Sequence, residues 1–186
     1  MAEFDDLHAT LKRSAAALRE AGVAFMLGGG LAAWVRGGPE SDHDLDYMVR
    51  PGDAESALEA LVAAGLRAER PPEDWLLKAW DGDVLVDLIF RPASGEVGDD
   101  EFERAELVEV MSLEMLVMSL EDVLVTKLCT ISETHLDFQP VVQLARAVRE
   151  QVDWDAVRER TERSPFARSF FTLVEELEIV PARSIG

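Results

Sequence analysis

Thirteen residues separate the glycine pair Gly29–Gly30 from the acids Asp44 and Asp46, and an apolar run, Tyr47–Val49, follows at once. A third acid, Asp87, interrupts the apolar segment VLVDLIF forty-one residues beyond Asp46. Together these features call for a fold in which two strands carry carboxylates on a shared face. Residues i and i+2 of a strand point the same way. Asp44 and Asp46 therefore project from one face, and Leu45, Tyr47 and Val49 from the other. Within Val84–Phe90, Asp87 shares its face with Leu85 and Ile89. An unpaired carboxylate is costly to bury there, and a metal ion or a neighbouring cation removes the cost. Magnesium takes hard oxygen ligands, usually one or two carboxylates with phosphate oxygens and water. Three acids and a glycine turn are thus the parts needed to hold a metal-bound triphosphate.

The remaining pattern alternates strands and helices before becoming helical. Leu7, Leu11, Ala15 and Leu18 recur at helical spacing within Phe4–Glu20, which predicts an amphipathic helix. Val23–Leu27 reads as a strand, Gly28–Gly30 as a turn, Leu31–Val35 as a helix start and Arg36–Ser41 as a loop. Asp44–Val49 is a strand, and Asp53 heads a helix to Ala64. Leu66–Arg70, Leu76–Trp80 and Val84–Phe90 read as further strands, with Asp81–Gly82 a hairpin turn signal. Arg91–Asp100 is a loop and Leu107–Met111 an edge strand. Ser119 caps a helix running to about Ser132, with Asp122 in the capping-box position. Helices follow over Phe138–Gln151, Trp154–Arg163 and Pro165–Glu176. The fold class is α/β, a mixed sheet with flanking helices over residues 1–111 and an α-helical C-terminal region over 112–186.

The glycine pair, the spacer, the DLD of Asp44–Asp46 and the later VDLIF resemble the signature of the nucleotidyltransferase-fold superfamily, the polymerase-beta-type fold. SLEDVLVTKL, Ser119 to Leu128, is similar to the helix that carries a lysine in minimal and toxin-type members, and the resemblance spans roughly residues 22 to 135. It implies a Mg2+-dependent enzyme, with Mn2+ as the alternative metal. Such an enzyme moves a nucleoside monophosphate from a nucleoside triphosphate, ATP among them, to an acceptor hydroxyl. Asp44, Asp46 and Asp87 would be the catalytic and metal-binding acids, with Asp87 also the base. Gly29, Gly30 and Lys127 would bind the nucleotide. The acceptor stays open among a small molecule, as in antibiotic-modifying relatives, and RNA or protein, as in toxin-type relatives. An antitoxin-like protein partner belongs to the second branch. Asp137 is similar to a later acid near the site in toxin relatives, and is equally read as a helix cap.

Composition narrows the partners. Lys and Arg number 18 against 37 Asp and Glu, a net charge of −19. Such a balance repels nucleic acid backbones unless a basic patch intervenes, so no DNA partner is expected; it would welcome a cationic acceptor, and it equally serves solubility. One cysteine, Cys129, excludes an internal disulfide and reads as a packed residue. No stretch reaches the ~20 apolar residues of a membrane span, and the start has no signal-like layout; the cytoplasm is the expected location. Asp42 leaves a rival metal pair, Asp42–Asp44. A calcium loop over Asp42–Asp46 lacks the required Gly and Glu. Arg36 and Arg50 flank the acids as candidate phosphate contacts. Trp34, Trp75 and Trp80 are candidate pocket walls, though core packing suits them better. His43, His135 and His8 read as surface residues. The rival class is an inactive module of the same fold that binds a protein.

Overall fold

In the computed structural model, residues 4–40 and 44–182 are described. Helix α1, Phe4–Glu20, opens with Asp5 and Asp6 and closes with Arg19, charges that suit its dipole. Leu7, Leu11, Ala15 and Leu18 are buried along one stripe. That stripe lies on the back of the sheet, where buried Ser14 Oγ is 2.8 Å from Tyr47 Oη. Strands β1 (Phe25–Leu27) and β2 (Leu45–Val49) run antiparallel, with the short helix α2 (Gly29–Trp34) between them. A 3-10 turn, Pro51–Asp53, leads into α3 (Ala54–Ala63), and Asp53 makes no side-chain cap. Then come β3 (Arg67–Glu69), β4 (Leu76–Asp81) and β5 (Val84–Ile89).

The chain continues with α4 (Asp99–Arg104), β6 (Glu106–Val110), β7 (Leu113–Val117), α5 (Leu120–Thr130), α6 (Gln139–Val148), α7 (Trp154–Thr161) and α8 (Pro165–Glu176). The seven strands form one mixed sheet in the order β3-β4-β5-β2-β1-β7-β6, which bears out the α/β class and the helical tail. Two elements went unread in the sequence. Helix α4 occupies the end of the expected loop, and β7 returns after a two-residue turn at Met111–Ser112. Because β7 pairs with β1 at Leu27↔Val117, the sheet runs past residue 111, and the expected division falls in the turn between its last two strands. No helix among the described residues is long and apolar enough to cross a membrane.

Alternation along the central strands decides what each face carries. Leu45, Tyr47 and Val49 of β2, and Val84, Val86 and Leu88 of β5, are buried on the back, under α1 and α3. The front face of β2 and β5 carries Asp46, Met48, Asp87 and Ile89, with α5 lying across it. Ser119 Oγ caps α5 by accepting the Asp122 N–H at 3.1 Å. Asp122 does not return the capping-box bond to the Ser119 backbone; its carboxylate accepts Ser119 Oγ–H at 2.7 Å. That same carboxylate takes a bidentate pair from Arg104, at 2.9 and 3.0 Å, and a further bond from Arg160. The residue thereby ties α4 and α7 to α5. Phe138, Phe170, Phe171 and Trp154 pack edge-on or tilted within the helical tail.

Candidate active site

Parallel pairing of β2 with β5 places Asp46 directly opposite Asp87. Asp44 lies just before β2 and is exposed, Asp46 is partly buried, and the Asp87 side chain is 15% exposed. The chain of β1 turns into α2 beside Asp46: Gly28 N–H donates to the Asp46 carbonyl at 2.8 Å. Gly29 adopts φ +60, and a Cβ there would stand 1.7 Å from Asp46 Oδ2. Only glycine satisfies both constraints. The sequence assigned Gly29 and Gly30 to a phosphate; here Gly29 first makes room for a carboxylate, and Gly30 donates its backbone N–H to that same Asp46.

Burial pushes the Asp46 pKa up to about 6, and the charges of Asp87 and Asp44 add to it, while Lys127 and the Gly30 N–H pull it down. Lys127 on α5 thus lies within electrostatic reach of Asp46. Asp87 is also raised, chiefly by burial, against a hydrogen bond and the charge of Lys78. Lys78, on β4, stands opposite Asp87, with Nζ 3.1 Å from Oδ1 and 3.5 Å from Oδ2. This is the neighbouring cation that a half-buried Asp87 needs, and the sequence reading did not name it. A register count from a turn centred on Gly82–Asp83, one residue beyond the Asp81–Gly82 signal, is what pairs Lys78 with Asp87.

Among the described residues, no three His, Cys, Asp or Glu side chains are gathered as a metal cluster. Asp44 and Asp46 still offer two hard oxygen donors, which with phosphate oxygens is the usual complement for magnesium. The raised pKa of Asp46 fits that role, since its charge is under-compensated by the protein. Asp42, of the rival pair, and His43 lie outside the described residues.

A cavity of about 540 Å³ opens beside the acids, between the front of the sheet and α5. Met48 and Ile89 form its floor, Val123, Thr126 and Lys127 its roof, and Gly29 its inner edge. Trp75, 40% exposed, stands at the wall. Among the described residues no acid lines it. A smaller cavity of about 200 Å³ meets Lys127 from the other side, lined by Gly30, Glu40, Pro140 and Gln143.

Other candidates are engaged elsewhere. Arg36 donates to the Met118 carbonyl and to Glu106 at 3.0 Å. Arg50 holds Asp99 at 2.8 Å and lies over Phe102. Trp34 packs against Phe4, and Trp80 Nε1 donates to Glu69 at 2.7 Å. Asp137 accepts the Gln139 N–H at 2.9 Å at the start of α6. His8, expected at the surface, is half-buried with Nε2 2.9 Å from the Met111 carbonyl. His135 is exposed. Cys129 is half-buried on the larger cavity's wall, where burial pushes its thiol pKa up against the charge of Arg160.

Residues 6–176 match the sequence model of a family described as uncharacterised nucleotidyltransferase. The chain belongs to this family. No curated protein sequence matches the transferase. Its fold is similar to that of the antibiotic-resistance factor ANT(2'')-Ia, with a TM-score of 0.63 at 15% identity, covering 92% of this chain and 96% of that one. JHP933 from Helicobacter pylori gives 0.54 at 14% identity, covering 96% and 81%. The lincosamide antibiotic adenylyltransferase LnuA, bound to lincomycin, gives 0.50 at 12% identity, covering 76% and 94%. The protein is a nucleotidyltransferase enzyme, and its general chemistry is transfer of a nucleoside monophosphate.

Proposed function

We propose that this enzyme uses Mg2+, or Mn2+ in its place, to move a nucleoside monophosphate from a nucleoside triphosphate to a hydroxyl of a cationic small molecule. One observation carries the reading: Asp46 and Asp87 face each other across β2 and β5, at a glycine turn where any side chain would collide with Asp46. Asp44 and Asp46 would hold the metal, which when bound neutralises phosphate charge and favours attack at the α-phosphorus. Lys127 would offer its ammonium to the phosphates as a point charge. The cavity beside Gly29 suits a nucleoside: it is mostly apolar, no acid among the described residues lines it, and Trp75 offers a flat ring for stacking. Asp87 would accept the acceptor's hydroxyl proton as the oxygen–phosphorus bond forms and the α–β anhydride breaks, releasing pyrophosphate. Positioning and electrostatics supply most of the rate.

The acceptor follows from charge. A balance of −19 draws cationic molecules and opposes RNA. The same fold holds adenylyl-2''-tobramycin in ANT(2'')-Ia and lincomycin in LnuA, so it accommodates an acceptor of that size.

The test is transfer of label from α-labelled ribonucleoside triphosphates, with Mg2+, to a panel of aminoglycosides, lincosamides, tRNA and proteins. We expect label on a cationic small molecule, and a loss of about a thousandfold or more in Asp46→Asn, which removes transition-state charge stabilisation. Label on tRNA, with binding that weakens steeply in salt, would replace the acceptor. No transfer, and no rise in melting temperature with Mg2+ and any of the four triphosphates, would end the reading.

A further inference from the structure

The front face of the sheet carries a row of charge running across four strands. Glu69 on β3 is paired with Lys78 on β4, Lys78 with Asp87 on β5, and Asp87 with Asp46 on β2. Directly opposed side chains in a sheet are near neighbours. Asp87 therefore stands between a like charge on one side and an ammonium on the other. It engages the ammonium through both oxygens, at 3.1 and 3.5 Å. The contact is withdrawn from water, with the Lys78 and Asp87 side chains 23% and 15% exposed. Lys78 is itself anchored, since Glu69 faces it from the far side and Trp80 Nε1 fixes the Glu69 carboxylate at 2.7 Å.

We propose that Lys78 is a positioning residue that reserves Asp87 for the acceptor and keeps it out of the metal's coordination shell, so that the site takes one divalent cation, held by Asp44 and Asp46. This inference rests on the nucleotidyl-transfer reading above, and it gives Asp87 one of the two roles the sequence assigned to it. The reason is charge. A divalent cation on an Asp87 oxygen would lie against the Lys78 ammonium in a partly dry setting, where like-charge repulsion is strong. Bringing Asp87 across to Asp46 would also break an ion pair that leaves Lys78 beneath Glu69 alone. An ammonium in that place supplies the compensating charge that a second cation would otherwise bring.

The experiment counts Mn2+ bound per chain by electron paramagnetic resonance and calorimetry, with each of the four α,β-methylene ribonucleoside triphosphates present and no acceptor. Wild type and Lys78→Arg, which keeps the charge, are expected to bind one Mn2+ beyond that bound by free nucleotide. Lys78→Met, which keeps length and removes charge, is expected to bind two; Lys78→Gln replaces it if circular dichroism shows Met unfolded. Two Mn2+ in wild type, or an unchanged count in both neutral variants, overturns the inference and leaves nucleotidyl transfer standing. No Mn2+ and no nucleotide bound by any variant overturns the inference together with the reading beneath it.

Discussion

Asp122 and Asp46 are both drawn away from water, yet the fold treats them in opposite ways. Asp122 is 1% exposed and carries Arg104, Arg160 and Ser119 on its two oxygens. Burial pushes its pKa up, but those three partners outweigh burial and hold it below the usual carboxylate range. Asp46 is less buried by exposure, yet its pKa rises to about 6, because burial is joined by Asp87 and Asp44 and outweighs the opposing pull of Lys127 and the Gly30 backbone N–H. The first carboxylate is satisfied from within the chain. The second is left under-compensated, in a cleft, beside a glycine that admits nothing larger. An acid whose charge the protein leaves for a ligand to complete is the mark of a site, and an acid whose charge the protein completes is the mark of a joint.

Removing each charge separates the two. Asp122→Asn leaves two arginines facing a neutral amide and should cost about 3 kcal/mol in urea denaturation, the low end for a broken buried pair. The low end applies because Arg104 and Arg160 are 39% and 31% exposed. A loss under about 1 kcal/mol would mean that solvent already carries those charges, and the contrast would collapse. Asp46→Asn should act the other way. In EDTA at pH 7 it should stabilise the protein by about 2–3 kcal/mol, the free-energy equivalent of a rise from 3.8 to about 6, while abolishing transfer.

The pH dependence has a defined sign. Between about pH 4 and 6 the folded chain keeps the Asp46 proton that the unfolded chain has released, so this group lowers stability as pH rises and its penalty is complete above about 6. The gain from Asp46→Asn should therefore vanish near pH 4. Asp122 contributes stability that is present above the ordinary carboxylate pKa and is lost as pH falls through its depressed folded value. A gain from Asp46→Asn that persists unchanged at pH 4 would show that packing rather than charge is responsible.

Much of this site was legible before any coordinates. The spacing of Gly29–Gly30, Asp44–Asp46 and Asp87 indicated two strands bearing acids on one face, and the periodicity of Phe4–Glu20 marked α1 to the residue. Lys78 was not seen, for a reason of register. The sequence centred the hairpin on Asp81–Gly82, whereas Asp81 pairs with Val84 and the turn is Gly82–Asp83. Moving a turn centre by one residue moves each partner by two, here from Leu76 to Lys78. Gly82 at φ +61 with Asp83 outside the positive region is the glycine-first turn of a right-twisted hairpin. The contact of Gly29 with Asp46 was illegible in principle, because it depends on how closely two non-adjacent segments approach.

The second hairpin tests whether unresolved cost is confined to the site. The turn between β6 and β7 holds Met111 at φ 48 and Ser112 at φ 65. Both central residues are left-handed, as a type I′ turn requires, but neither is the glycine or asparagine that such turns favour. That missing signal is why β7 went unread. Ser112→Gly relieves a side chain in a sparsely allowed region and should raise stability in urea by about 1 kcal/mol, with nucleotidyl transfer unchanged. Gly82→Ala in the other hairpin should cost a similar amount: nothing stands within 4 Å of the added Cβ, so backbone strain alone opposes it. A stabilised and fully active Ser112→Gly would separate backbone strain from charge as a guide to the site. A stabilised variant that lost activity would tie the turn to the chemistry through β7 and β1, which leads directly into Gly29.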